Sequence, residues 1–309
     1  MTSPYERPRI VVVGSSNTDF VVRVPNIPSP GETVLGTTFA TVAGGKGANQ
    51  AVAAARLGAA VAFVARVGSD AWGDAALEAY SGEGINTEYV VRDLEVPSGI
   101  ALIAVDDRGE NAIAVADGAN GRLSRADVDA AAPGIREADV IVLQLETPLD
   151  TVRYAAELGA DGGAWVILNP APASGPLDRA LLRHVSVLTP NLGEAAILSG
   201  QSVGDAGEAL SAARHLRAQG AVNVVVTMGA NGVLVEGEDA SGEIPAPSVQ
   251  AVDTTAAGDA FTGALAVALG EGRPLLEAAR FAVQAAAASV TRPGAQPSLP
   301  TREELLDGT

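Results

Sequence analysis

Two kinds of apolar pattern alternate along the chain. One is a short run that is apolar at nearly every position. The other is a longer stretch in which apolar residues recur every three or four positions. The continuous runs fall at 9–14 (RIVVVG), 61–67, 140–145, 165–168, 185–188 and 222–227. Short uninterrupted runs of this kind fit strands buried on both faces, as in a parallel sheet. Helical periodicity falls between several of them, at 48–57, 74–80, 149–158, 194–198 and 206–218, and returns at 257–269 and 275–290 on either side of GRP. Strand and helix in alternation predict an α/β fold, a mostly parallel sheet with helices on both faces.

Two places break the rhythm. Segments 19–23 and 32–41 read as strands split by VPNIPSPG, and segments 98–105 and 111–116 read as a hairpin around DDRG. Neither pair encloses a helical pattern. Together they predict a small antiparallel sheet projecting from the main one, suited to cover a site or to offer an edge to a second copy. No linker, repeat or low-complexity tract interrupts the rest. The chain therefore reads as one domain over 1–309, with an inserted lid from about 18–42 and 97–116.

Composition narrows the function. With 47% hydrophobic and 18% charged residues the chain can bury a sizeable core, and with 4% aromatics that core must be aliphatic and alanine-rich. The absence of cysteine excludes disulfides, thiolate catalysis and zinc–thiolate sites. A formal net charge of −17 repels phosphate backbones and anionic lipids, so nucleic acid and membrane surfaces are poor partners. No apolar run approaches the roughly 20 residues needed to cross a bilayer. The opening MTSPYERPR lacks the apolar stretch of a signal peptide. A soluble cytoplasmic protein acting on a small molecule is the expectation. Its two histidines, His184 and His215, lie too far apart in sequence and context to suggest a metal pair.

Several segments carry candidate chemistry. In AVDTTAAGDAFTG, small residues lead into a helix with Asp259 in its first turn. Exposed N–H groups at a helix start hold anions, which makes 256–258 an anion turn and Asp259 a base beside it. Asp259 is equally explained as a first-turn charge favoured by the helix dipole. TPNLGE follows a strand, where ligands of parallel sheets gather, so Asn191 and Glu194 are ligand-side or simply a helix cap. TMGANG also follows a strand, and Thr227 and Gly229 read as ligand contacts or as a tight hairpin turn. In GSSNTD, Asn17 and Asp19 suit sugar hydroxyls or an Asx-turn, and Glu146 in QLETP suits either role too. AGGKGANQAVAAARLGA holds Lys46, the only lysine among 20 Lys and Arg residues. Its spacing matches neither G-x-x-x-x-G-K-[ST] nor G-x-G-x-x-G, so it is no phosphate cradle of those kinds.

Taken together, GSSNTD, PSPGETV, AGGKGANQAVAAARLGA, GENAIAVADGAN, QLETP, LNPAPA, LTPNLGE, TMGANG, VDTTAAGDAFTGAL and TRPGAQPSLP resemble, in order and over nearly the whole chain, the ribokinase/PfkB family of carbohydrate kinases. The resemblance implies a three-layer α/β/α domain with a small β-sheet lid, often dimeric through that lid. It implies transfer of the γ-phosphoryl of ATP to the 5-hydroxyl of D-ribose. Asp259 then matches the catalytic base, and Ala256, Ala257 and Gly258 the anion hole. Asn17, Asp19, Gly45, Lys46, Asn49 and Glu146 match sugar contacts, with Val115 an apolar contact from the lid. Asn191, Thr227 and Gly229 match nucleotide contacts, and Glu194 a position that organises Mg2+ through water. A K+ site would use Asp253, Thr255, Ser289, Arg292, Gly294 and Ser298, largely through backbone oxygens. Leu192 and Gly193 depart from the polar residues often found in that motif. On this reading Asp259 acts with little need for a raised pKa. The rivals are a family kinase for fructose, a deoxysugar or a nucleoside, and a non-catalytic sugar-binding regulator. A dinucleotide-dependent oxidoreductase is disfavoured because no G-x-G-x-x-G follows the first strand.

Overall fold

The structure is a computed structural model that describes residues 7–307; of the polar N-terminal stretch, residues 1–6 lie outside the described residues. Its strands are β1 (Arg9–Val13), β2 (Asn17–Arg23), β3 (Thr38–Gly44), β4 (Ala60–Gly68), β5 (Val90–Asp93), β6 (Gly99–Val105), β7 (Asn111–Ala116), β8 (Val140–Leu143), β9 (Trp165–Leu168), β10 (Val187–Leu188), β11 (Asn223–Thr227), β12 (Val233–Glu236) and β13 (Ser241–Ile244). A nine-stranded sheet runs in the order β13-β12-β11-β10-β9-β8-β1-β4-β5. It is parallel from β11 through β5, and an antiparallel hairpin, β12–β13, closes one edge.

Helices cover both faces of this sheet, as the continuous apolar runs required. In β1, Ile10 and Val12 enter one core, and Val11 and Val13 the other. The first core takes the helices Lys46–Arg56, Ala257–Gly270 and Leu275–Ser289; the second takes Leu149–Asp161 and Ala206–Gln219. No described helix is long and apolar enough to cross a membrane.

The smaller sheet has the order β3-β2-β6-β7. The antiparallel expectation needs correction here. β2–β3 and β6–β7 are antiparallel hairpins, but β2 and β6, which join them, run parallel. Both start at the main sheet and run outward, so their pairing has to be parallel. The strand expected at 32–41 instead occupies Thr38–Gly44. The stretch after Pro28, Pro30 and Gly31 stays irregular, and pairing continues inward until Gly44 meets Asn17 at the base.

Sheet order reverses at β1, whose neighbours are β8 on one side and β4 on the other. Loops that diverge from such a point leave a crevice at the carboxyl ends of the strands. Two helices meet there. Lys46–Arg56 has an alanine-rich surface, and Ala257–Gly270 is buried at every position from Asp259 to Leu269. They touch where Gly263 faces Ala53; a Cβ on Gly263 would lie 2.6 Å from the Ala53 Cβ and 3.0 Å from the Gln50 carbonyl. Gly263 is thus required by the closeness of the crossing. Gly263→Ala is expected to cost ~1–3 kcal/mol, the range for overpacking a tight contact. The measurement is a urea titration, in which the midpoint should fall at unchanged slope. A midpoint equal to the parent's would mean that the two helices part freely.

Candidate functional site

The site is assembled on the glycine loop and the helix that follows it. Gly45 has φ 89°, and a Cβ there would stand 2.7 Å from the Asn17 backbone nitrogen, so only glycine carries the loop past the start of β2. Beyond it the first turn of Lys46–Arg56 is tied down. Ser15 Oγ donates to Glu146 Oε2 (2.5 Å) and accepts from the Gly47 N–H, and the Lys46 N–H donates to the same Glu146 oxygen (3.0 Å). Glu146 therefore stands where N–H groups at the helix start favour a negative charge.

Asp259 enters from the opposite helix and is almost fully buried. Asn49 Nδ2 donates to its Oδ2 and Gln50 Nε2 to its Oδ1, each at 2.9 Å. Burial is the largest influence on the carboxyl and raises its pKa, with Glu146 adding to the rise; Lys46 and the two amides act against it. The rise reflects how deeply the group lies, and the expectation that its role has little need of a raised pKa is untouched by it. Asn49 Oδ1 has no partner among the described residues, leaving a buried acceptor free for a donor from a ligand.

Before Asp259 the chain makes a sharp turn. Ala256 has φ 59° and is the one non-glycine residue with positive φ among the described residues. That left-handed conformation costs an alanine about 1–2 kcal/mol. It opens the helix Ala257–Gly270, whose start has no side-chain cap and where a Cβ on Gly258 would meet nothing within 4 Å. The backbone there is open to an approaching anion.

Lys46 faces Asp259, Glu146, Glu194 and Asp19. Desolvation works to lower its pKa, but the four carboxylates outweigh it and the net shift is upward, so the amine stays charged. The acids feel the same crowding. Asp19 is raised to about 6, first by burial and then by Glu146 and Asp259, against Lys46. Glu194 is raised chiefly by burial.

Two cavities adjoin these groups. One of about 220 Å³ is lined by Lys46, Asp259, Gly258, Asn191, Glu194 and Thr227 among others. A second, of about 430 Å³, is mostly apolar and includes Gly229, Val249, Phe261, Val283 and Val290. Thr227, Thr254, Ala257 and Gly258 line both, so the two adjoin. Asn191 and Glu194 also form a reciprocal capping box (2.8 and 2.9 Å), so the structural explanation and a ligand-facing position hold together. Gly229 (φ 57°) opens the turn between β11 and β12, the hairpin that TMGANG allowed.

The remaining candidates divide. Register puts Asp19 opposite Ala101 and Ala101 opposite Val115, so Val115 and Asp19 share one face of the small sheet. Val115 is exposed there. Asp253, Thr255 and Gly294 come together. Asp253 Oδ1 accepts from the Thr255 N–H (2.9 Å) and hydroxyl (2.6 Å), Oδ2 accepts from the Gly294 N–H (2.8 Å), and the carboxyl is held below its ordinary value despite some burial. The side chains of Ser289 and Ser298 are buried and donate to the Ala286 and Ala295 carbonyls, and Arg292 pairs with Glu304 (3.0 Å). Those three side chains are committed elsewhere.

Reading the sequence missed the supporting amides. Asn120 Nδ2 donates to Asn17 Oδ1 (2.7 Å), its Oδ1 accepts from the Ser16 N–H (2.8 Å), and Tyr80 meets the Ser16 hydroxyl (2.6 Å). This commits the oxygen end of the Asn17 amide to Asn120 and leaves its Nδ2 pointing away from that partner. Gln50, Gln144 and Asn169 lie behind Asp259. All but Tyr80 and Ser16 lay in polar positions of otherwise apolar or small-residue motifs, which was their only signal.

Residues 7–302 match the family described as pfkB family carbohydrate kinase. The chain belongs to that family. Among similar proteins of the family, a ribokinase of Haemophilus influenzae is 45% identical over 301 residues, 97% of this chain and 98% of that one. A deoxyribokinase of Salmonella typhi is 40% identical over 296 residues, 96% of this chain and 97% of its own. The structure of Arabidopsis thaliana ribokinase complexed with ribose and ATP superposes with a TM-score of 0.90 at 34% identity, covering 98% of each chain. The ribokinase-like α/β fold is thereby established, and with it an ATP-dependent carbohydrate kinase.

The raised Asp19 carboxyl generates a test of this electrostatic picture. Its folded pKa, about 6, exceeds the unfolded 3.8. Below pH 3.8 both states are protonated and no cost arises. As pH rises from 3.8 to about 6 the folded state holds the proton longer, so stability falls, and above about 6 the full cost is present. Asp19→Asn should therefore stabilise the ligand-free protein above pH 7 by up to ~3 kcal/mol and by nothing below about pH 4. Urea midpoints of both proteins across that range are the measurement. A constant difference would mean that Asp19 is not strained.

Proposed function

We propose that the chain transfers the γ-phosphoryl group of ATP to the 5-hydroxyl of D-ribose, giving D-ribose 5-phosphate and ADP. The observation that carries the reading is the placement of Asp259. A buried carboxylate, gripped by Asn49 and Gln50, stands at the uncapped start of a helix beside the smaller of two adjoining cavities. The names of the ribokinase relatives supply the sugar. A second reading, 2-deoxyribose as acceptor, is favoured by the deoxyribokinase relative.

In this reading the sugar lies between Asp259 and the small sheet. Asn17 offers Nδ2, Asn49 its free Oδ1, and Asp19 and Glu146 accept from hydroxyls, with Lys46 and the Gly45 backbone alongside. Val115 supplies an apolar contact from above. The nucleotide base occupies the apolar cavity near Gly229, and the phosphates run past Thr227 and Asn191 toward the smaller one. Asp259 accepts the proton of the 5-hydroxyl, and the backbone at Ala256, Ala257 and Gly258 meets the charge that develops on the transferred group. Lys46 stays protonated and offsets part of that charge.

Mg2+ bound with the nucleotide would supply charge neutralisation for its phosphates, and Glu194, which lines the smaller cavity, would approach it through water. Among the described residues no group of three or more His, Asp or Glu side chains is placed to hold a metal ion. For K+, the committed side chains of Ser289, Ser298 and Arg292 leave backbone oxygens as ligands, and the Asp253–Gly294 bond holds the two loops together. A cytoplasmic location is consistent with this chemistry, since ATP is its donor.

The small sheet acts as a lid that excludes water from the sugar. Its outer face is also apolar and exposed at Phe39 (65%) and Leu102 (54%), and β7 is exposed along its whole length. This supports a homodimer through the lid.

The experiment that tests the function is coupled ADP release with D-ribose, 2-deoxyribose, fructose and nucleosides. Ribose should give the highest kcat/KM, and no ADP release with any sugar would reject catalysis. Asp259→Asn should lower kcat by about 10²–10⁴, the span of a general base, with ribose KM little changed. Near-parent turnover would remove Asp259 from the reaction. In the same assay K+ buffer should exceed Na+ buffer, and equal rates would reject the ion site. Sedimentation velocity should report a dimer that Leu102→Asp converts to monomer; a parent protein that sediments as a monomer would rule out the lid interface.

A further inference from the structure

Behind Asp259 lies a chain of amides that the reaction does not touch. Gln50 Nε2 donates both to Asp259 Oδ1 (2.9 Å) and to Asn169 Oδ1 (3.1 Å). Gln50 Oε1 accepts from Gln144 Nε2 (2.7 Å), and Asn169 Nδ2 donates to the Thr189 carbonyl (3.1 Å). Gln50 and Gln144 are fully buried and Asn169 nearly so.

Each amide has one orientation that satisfies its neighbours. The Thr189 carbonyl can only accept, so Asn169 must turn its Nδ2 toward it, which leaves the Asn169 oxygen facing Gln50. Gln50 must then present Nε2 to two oxygens at once, and its own oxygen falls to Gln144. A flipped Gln50 would set oxygen against oxygen at both Asn169 and Asp259, from a side chain that is itself fully buried. The direction of the chain is therefore fixed at the carboxyl ends of β8, β9 and β10, and is passed to the carboxylate through one side chain.

We propose that Gln50 is a positioning residue for phosphoryl transfer, fixing the rotation of the Asp259 carboxylate and holding it in the anionic form that receives the substrate's proton. The proposal rests on Asp259 being the base. Asn49 holds the other oxygen, but it belongs to the crevice and has its own oxygen free for the sugar. Gln50 touches only buried protein groups. The charged groups facing Asp259 are Lys46, which favours the anion, and Glu146, Asp19 and Glu194, which oppose it. Three carboxylates against one ammonium leave the anion in need of neutral N–H donors, and among the described residues Asn49 and Gln50 supply them.

The test is the pH dependence of kcat in three variants, each with a thermal midpoint recorded. Gln50→Glu keeps the shape and replaces the donor with a second carboxyl, so the pair must share a proton. Its acid limb should move up by about one pH unit or more, with kcat at pH 7 down about tenfold, recovery as pH rises, and KM for sugar and ATP within about threefold. Gln50→Met removes the donor without adding an acid and should lower kcat with a smaller move of the limb. Gln144→Met removes the donor that holds the Gln50 oxygen, which loosens the side chain without reversing it, and should lower kcat several-fold at unchanged KM. If Gln50→Glu fails to fold, the two methionine variants decide by the same readouts. Parent-like kcat and limb in the folded variants, with only the thermal midpoint lowered, would assign the amide chain to stability and overturn the proposal. An inactive Asp259→Asn beside parent-like Gln50 variants would sink this inference alone. An active Asp259→Asn would sink the reading beneath it.

Discussion

Two helices begin side by side at the crevice, and the distance between their first turns governs everything built there. Gly263 lies one turn beyond Asp259, and Ala53 one turn beyond Asn49. The contact of Gly263 with Ala53 therefore sets how far the carboxylate stands from the amides of Asn49 and Gln50. A helix is stiff over one turn, so closeness at the crossing becomes closeness at the site. The buried aliphatic core behind both helices, rather than any loop, supplies the precision.

Charge is handled by the same economy of parts. A protein of net charge −17 has to admit a polyphosphate. It concentrates one ammonium and one open helix start within reach of the carboxylates, and lets these local fields decide at short range. The acids then sit in a region they would not choose. Asp19 carries a pKa of about 6 because burial and its acidic neighbours both oppose ionisation. Strain of that kind costs stability in the empty protein.

Most of the main sheet was legible because parallel strands buried on both faces leave continuous apolar runs; 165–168 and 222–227 match β9 and β11 to within a residue. The short edges were not. Val90–Asp93 mixes charge into four residues, and Ser241–Ile244 is half polar, so neither carries a period. Parallel pairing of β2 with β6 was hidden because 75 residues of chain separate Arg23 from Gly99 and pairing partners leave no mark in a single sequence. At the site, residues whose chemistry is unusual in place stood out: a lysine among glycines, an acid at a helix start. Gln50, Gln144, Asn169 and Asn120 did not, since a buried amide is defined by its partners and those come from remote segments.

The lone lysine has a practical consequence. Apart from the chain's first amino group, Lys46 holds the only primary amine in the protein, and it lies inside the crevice. Incorporation of ¹⁵N-lysine would give a single ε-ammonium signal in a 31.0 kDa protein, without mutation or assignment. Its position and exchange rate would report on what enters the cavity that Lys46 lines. What isotopic engineering usually has to install, a solitary spectroscopic witness inside a crevice, is encoded in this sequence.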